Sequence, residues 1–204
     1  MNANHEADLL QDLPAITEAE LAALHDRLAE QAEADGLLDV AYRTLDTPVG
    51  TLLLAATETG LVRVAYSIEG HDRVLQSLAT QISPRVLSAP RRLDTAAREI
   101  DEYFAGRRHR FGLPLDHRLS SGFRRDVLAQ LPSIGYGHTA SYATIAAAVG
   151  HPRAFRAVGT ACATNPLPVV VPCHRVVLSN GHVGNYRGGP AAKRFLLDLE
   201  GKAA

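Results

Sequence analysis

Residues 137–166 read GHTASYATIAAAVGHPRAFRAVGTACATNP, and this stretch decides the C-terminal half of the fold. Its spacing predicts two helices around a tight turn. Ser141 can cap the first, which ends at Gly150. Pro152 suits the first position of the second, which stops before Asn165-Pro166. Helix, short glycine-containing turn and helix is the pattern of a helix-turn-helix, although other packed helical pairs share it. The second helix is nearly bare, with Ala154, Ala157, Gly159, Ala161 and Ala163. A bare helix can pack tightly on a neighbour or bring its backbone close to a DNA groove. Arg156 is its one long cationic side chain beyond the opening turn.

Immediately downstream, LPVVVPCHR reads as an apolar strand ended by Pro172, which removes a backbone donor. Cys173 then stands beside two potential cations, His174 and Arg175. Cations lower a thiol pKa, and the thiolate is the nucleophile. Neighbours on a strand point to opposite faces, so His174 would reach Cys173 through a bend or a water. These residues alone leave open whether Cys173 is reactive or a buried, inert filler. VVLSNGHVGNY follows as a hairpin turning at Asn180-Gly181, and NYRGGPAAKRF as a Gly-Gly loop entering a last helix. Glu200, at the far end of that helix, either frays into solvent or turns inward to orient His174.

Working back toward the start, residues 41–118 predict a small domain with a few antiparallel strands. Turns fall at Pro48–Gly50 and Glu58–Gly60, and helices at His71–Gln81 and from Asp94 to a stop at Gly106. A further helix covers Arg124–Leu131. Residues 1–40 read as an acidic extension. Within it, TEAELAALHDRLAEQAEADG carries Thr17 and Glu20 in capping-box spacing, a stripe of Leu21, Leu24 and Leu28, and a stop at Gly36. The expected arrangement is a helix docked on its own domain.

The totals narrow the function. Hydrophobic content of 46% and charged content of 21% suit a globular protein with a real core. No run of apolar residues is long enough for a membrane span, and the first residues lack a signal-peptide pattern, so the cytoplasm is the expected location. Two cysteines in 204 residues exclude a disulfide framework. The net charge of −1 divides unevenly. Residues 1–40 carry −9, residues 41–120 carry +2 and residues 121–204 carry +6. A basic C-terminal part suits nucleic acid.

Taken together, NPLPVVVPCHRVVLSNGHVGNYRGG, with SYATIA, FRAVGTA and the more distant YFAG and LPLD, resembles the O6-alkylguanine-DNA alkyltransferases, also called methylated-DNA–protein-cysteine methyltransferases. The likeness is specific over residues 120–201 and weaker back to residue 41. It implies an α+β protein: a ribonuclease H-like N-terminal α/β domain over 41–118 and a mostly helical helix-turn-helix domain over 119–204. It also implies a single-use reaction on double-stranded DNA. A flipped O6-alkylguanine, or O4-alkylthymine, would pass its alkyl group irreversibly to Cys173. His174 would be the base, oriented by Glu200, and Asn165 would bond near Cys173. Tyr142 would help rotate the nucleotide, and Tyr186 would wall the pocket. The backbones of Val176 and Arg187 would read the guanine edge, with Val183 and Gly184 bordering the alkyl group. Arg156 would fill the gap left by the base, with Arg153, Ala154 and Tyr142 also at the DNA. No cofactor or metal is called for, and the expected state is a monomer.

Three departures stand out. Leu128 lies near the position of a usual tryptophan. Arg187 stands where smaller residues are common. No cysteine precedes Cys162, so a cysteine-based zinc site is ruled out in the N-terminal part. The acceptor cysteine argues against a lesion binder that transfers nothing. The side-chain-poor helix argues against a sequence-specific regulator.

Overall fold

Three apolar runs punctuated by glycine turns form the strands β1 (Val40–Leu45), β2 (Leu52–Ala56) and β3 (Leu61–Tyr66) in the computed structural model, which describes residues 16–179 and 181–201. β1 pairs antiparallel with β2, and β2 antiparallel with β3. The turn into β3 needs Gly60. Its φ is 147°, and a Cβ there would lie 2.3 Å from the Pro114 carbonyl oxygen. That carbonyl accepts from Leu61 N at 2.9 Å.

Helix α2 (His71–Gln81) follows β3 after a 3-10 turn, Ser67–Glu69. It returns the chain to β4 (Val86–Ser88), which joins β1 in parallel and gives the order β3-β2-β1-β4. The sheet is therefore mixed, not wholly antiparallel as expected. A helical crossover delivers its strand in the parallel sense. Both faces are covered. Leu53, Ala55, Val62 and Ala65 pack on Val74 and Leu78 of α2. Leu52, Leu54 and Tyr66 face Ala96, Ile100 and Tyr103 of α3 (Asp94–Phe104) and, in the same core, Val127, Ile145, Val158 and Leu196 of the C-terminal half. Two-sided burial explains why β2 is continuously apolar, and why β2 and β3 are buried along their whole length rather than alternating.

Helix α1 (Glu18–Ala34) has the expected capping box. Thr17 accepts from Glu20 N, and Glu20 reaches back to Thr17 N. It lies on the domain, but not by its leucines. Leu21, Leu24 and Leu28 are 47%, 51% and 53% exposed. Ala29 is the buried contact, and Asp26, Glu30 and Glu33 pair with Arg91 and Arg92. Residues 1–15 of the acidic extension lie outside the described residues.

The C-terminal half comprises α4 (Gly122–Gln130), α5 (Tyr142–Ala148), α6 (Phe155–Ala163) and α7 (Gly189–Gly201), with a two-stranded parallel sheet of β5 (Ala140–Ser141) and β6 (Val176–Val177). Ser141 caps α5 by accepting from Thr144 N at 3.0 Å, and Gly150 (φ 79°) ends that segment. Helix α6 starts three residues later than expected. Pro152 instead occupies a β-turn closed by Ala154 N to His151 O at 2.8 Å, a position its fixed φ also favours. Leu128 is buried in the core. No helix among the described residues is long and apolar enough to cross a membrane.

Candidate active site

The segment preceding Cys173 is not the strand its composition suggests. Residues 166–171 fold as turns and bends, and Val169 adopts φ 72°. A left-handed conformation is unfavourable for a β-branched side chain, by roughly 1–3 kcal/mol. Burial of Leu167, Val169 and Val171 holds it in place. Pro172 (φ −81°, ψ 60°) then makes an inverse γ-turn, with Cys173 N donating to Val171 O at 2.8 Å. Cys173 opens a short 3-10 turn, Cys173–Arg175, which leads into β6. Strand alternation therefore does not govern where Cys173 and His174 point.

Asn165 organises this turn from a fully buried position. Its Nδ2 donates to Val171 O at 2.9 Å and to Cys173 Sγ at 3.1 Å. Its Oδ1 accepts from Leu167 N at 2.9 Å. Cys173 is 1% exposed, and burial pushes its thiol up to about 11 despite the Asn165 hydrogen bond and the Lys193 and Arg187 charges. The resting sulfur is therefore protonated at neutral pH, and nucleophilic attack requires a base.

His174 supplies a candidate. It is fully buried, and that burial holds its imidazole below the ordinary histidine range, hence neutral at pH 7. Its Nε2 lies 2.8 Å from Glu200 Oε1. An ionised carboxylate only accepts, so Nε2 carries the proton and Nδ1 the lone pair. Nδ1 is buried and has no partner among the described residues, so His174 makes no direct hydrogen bond to Cys173. Glu200 turns inward. It also accepts from Arg175 Nε (2.8 Å) and Nη2 (2.9 Å), Tyr103 Oη (2.7 Å) and Gly137 N (3.2 Å). Burial opposes its ionisation, yet His174 and Arg175 hold its carboxyl down at about 2.

The expected pocket residues gather nearby. A Cβ on Gly184 would lie 3.4 Å from Tyr142 Oη, and one on Gly159 of α6 would lie 3.9 Å from the Tyr142 ring. Tyr142 thus stands between α6 and the loop carrying Val183 and Gly184. Tyr186 meets the His174 ring edge-on, with centroids 6.4 Å apart. Val176 O accepts from the buried Lys193 Nζ at 2.6 Å. The expected hairpin shrinks to a turn closed by Leu178 N to His182 O at 3.0 Å, and Asn180 lies outside the described residues. Helix α6 buries Val158, Ala161 and Cys162 and exposes Phe155, Arg156, Ala157 and Thr160. Arg156 lies over the Phe155 ring at 5.7 Å. Arg153 is exposed beside it and Ala154 half-buried.

Two family models cover this arrangement. Residues 40–117 match the ribonuclease-like domain of 6-O-methylguanine DNA methyltransferase, and residues 122–202 match its DNA binding domain. The chain belongs to the 6-O-methylguanine DNA methyltransferase family. It is similar to the constitutive methylated-DNA--protein-cysteine methyltransferase of Bacillus subtilis, at 39% identity over 163 residues, covering 78% of this chain and 94% of that one. The methylated-DNA--protein-cysteine methyltransferase of Homo sapiens is 37% identical over 164 residues, covering 78% and 79%. Among solved structures, O6-methylguanine methyltransferase of Mycobacterium tuberculosis superposes with a TM-score of 0.70 at 36% identity, covering 81% of this chain and 94% of that one. The same bacterium's OGT in complex with DNA gives 0.69 at 36% identity, covering 80% and 94%.

Several groups that matter to this methyltransferase-family site are not evident from the motifs. Tyr103 reaches Glu200 from the N-terminal half, 97 residues away in the chain. Lys193 is a fully buried cation near Sγ, and in the sequence it reads as one more basic residue of the last helix. Arg175, flagged only as a neighbour of the thiol, is the main partner of Glu200. Arg187 directs its guanidinium to Glu69, with Nε 2.5 Å from Oε2. No periodicity reports such distant meetings.

Proposed function

We propose that the protein repairs DNA by taking the alkyl group of O6-alkylguanine onto Cys173. One observation carries the reading: an otherwise inert, protonated thiol is held by Asn165 in a polar buried cluster whose base lone pair, His174 Nδ1, has no partner among the described residues. Asn165 ties the cluster to the end of α6, whose exposed face carries the small residues Ala157 and Thr160 beyond Phe155 and Arg156.

Helix α6 would enter the minor groove, where sequence information is sparse and a small-side-chain surface can follow the duplex. Arg156 would take the place of the extruded base, and Tyr142, next to Gly159, would help rotate the nucleotide. With the lesion against Tyr186, a water bridging Sγ and His174 Nδ1 would accept the thiol proton while giving its own to the ring. Glu200 steadies the imidazole as it gains charge, and Arg175 holds Glu200 in place. The sulfur lone pair then forms the S–C bond as the C–O6 bond breaks. Guanine leaves with a carbonyl at C6, and the imidazolium passes its proton back through the water to guanine N1, so His174 ends neutral. The thioether resists hydrolysis, so each molecule reacts once. O4-alkylthymine presents the same alkyl–oxygen bond and falls within the proposal.

The test is incubation with a duplex containing O6-methylguanine, followed by peptide mass spectrometry. The expected result is a 14 Da gain, one CH2 in net terms, of about one equivalent on the Cys173 peptide. Folded protein with an unmodified Cys173 peptide refutes the proposal.

A further inference from the structure

The N-terminal half meets the pocket loop at the end of β3. Tyr66, at that end, is 2% exposed and lies with its phenol oxygen 3.0 Å from that of Tyr186. The two rings meet edge-on at 5.8 Å. Two residues on, Gly188 presses against the Tyr66 ring so closely that a Cβ would lie 2.6 Å from it. Between these contacts stands Arg187, whose side chain leaves the pocket altogether.

Glu69 is what holds it. Glu69 Oε1 accepts from Tyr66 N at 2.9 Å. Its Oε2 accepts from Arg187 Nε at 2.5 Å and also from Arg63 Nη2. The two arginines then reach the link between α6 and the acceptor turn. Arg63 Nη1 donates to Pro166 O at 3.1 Å, and Arg187 Nη1 to Asn165 O at 3.3 Å. One carboxylate therefore joins β3, the Asn165 link and the loop that carries Tyr186. Its side chain is 12% exposed, and those of Arg63 and Arg187 are 7% and 28% exposed.

We propose that Glu69 is a positioning residue for alkyl transfer: by anchoring Arg187 it fixes Tyr186 against the acceptor site, which makes the N-terminal half a working part of the pocket. This rests on the repair reading above. Removing the charge of Glu69 leaves Arg63 and Arg187 facing each other. They do so beside a cleft of ≈ 430 Å³ that Arg73 and Arg124 also line. Both guanidiniums bond the same Glu69 oxygen, so they lie close together, and like charges so placed repel. Burial and the nearby Arg187 already hold the Arg63 guanidinium below the usual arginine range. Arg187 would therefore swing out, and the backbone of Tyr186 and Gly188 would follow it.

The experiment compares single-turnover methyl transfer from two donors, the free O6-methylguanine base and a lesion duplex, in full-length wild type, Glu69→Gln, Arg187→Ala, Arg187→Lys and the double variant Glu69→Gln/Arg187→Ala. A misplaced pocket wall slows reaction with both donors, by roughly ten- to a hundredfold. Affinity for undamaged duplex stays at the wild-type value, because the contact lies behind the pocket and not on α6. Arg187→Ala gives a similar loss, and Arg187→Lys recovers part of it through its retained charge. The double variant is no slower than the worse single one, since both remove the same interaction. Multiplying losses, or Glu69→Gln reacting at the wild-type rate, overturns the proposal. If Glu69→Gln does not fold, the Arg187→Ala and Arg187→Lys pair decides: equal rates for those two overturn it. A wild-type protein that takes no methyl from the duplex refutes the repair reading itself.

Discussion

Replacing Glu200 by Gln tests the electrostatic centre of the site. Glu200 is 1% exposed and accepts from His174, Arg175, Tyr103 and Gly137. A carboxyl near 2 in the folded chain against an ordinary 4.5 contributes about 3 kcal/mol at neutral pH. That contribution is complete above the unfolded value and disappears as pH falls from about 4.5 to about 2. Removing one partner of a buried pair gives a similar figure, about 3–5 kcal/mol, because Arg175 is left charged and unpaired. The glutamine amide adds a donor where five donor atoms from four residues already converge. Differential scanning calorimetry should show the melting midpoint lowered by roughly 6–12 °C at pH 7. The deficit should shrink as pH falls below about 4.5, and more than half of it should be gone by about pH 3. Methyl transfer should slow by about a hundredfold or more as His174 loses its orienting acceptor. A variant that melts within about 2 °C of wild type and transfers at the same rate would refute the reasoning.

Three other outcomes follow from the geometry. Asn165→Ala removes the donor to Sγ, so the Cys173 thiol should titrate higher still, and the pH profile of its alkylation by iodoacetamide should move upward; an unmoved profile excludes that hydrogen bond as a control on the thiol. Arg156→Ala should slow repair of a lesion duplex by tenfold or more while sparing reaction with the free base; equal losses remove Arg156 from the flipping step. Gly188→Ala places a methyl 2.6 Å from the Tyr66 ring, so chemical denaturation should show about 1–3 kcal/mol of lost stability, and wild-type stability would mean that the loop yields freely.

Local rules captured the pieces with strong local causes. The Thr17 capping box, the Ser141 cap and the His71–Gln81 helix all follow from residues within one or two turns of each other. What escaped depends on partners far along the chain. LPVVV has every mark of a strand, but the Asn165 hydrogen bonds to Leu167 N and Val171 O hold it in turns. The leucine stripe of α1 promised a docking face, while alanines and arginine pairs provide the contact. In the site, the thiol, imidazole, carboxylate and Asn165 were legible from motif and resemblance. Glu69, Tyr66 and Tyr103 were not, because their roles arise where the two halves share one core.

The burial of Cys173 also bears on how long an unused molecule lasts. Oxidation to sulfenic acid follows thiolate character and access, and this sulfur has little of either. A protein that spends its one sulfur irreversibly gains from keeping it dormant toward peroxide, disulfides and stray electrophiles between lesions. The packing that makes a base necessary is therefore also a preservative. The sulfur becomes a reagent when a damaged base is delivered to it, and is otherwise a piece of the core.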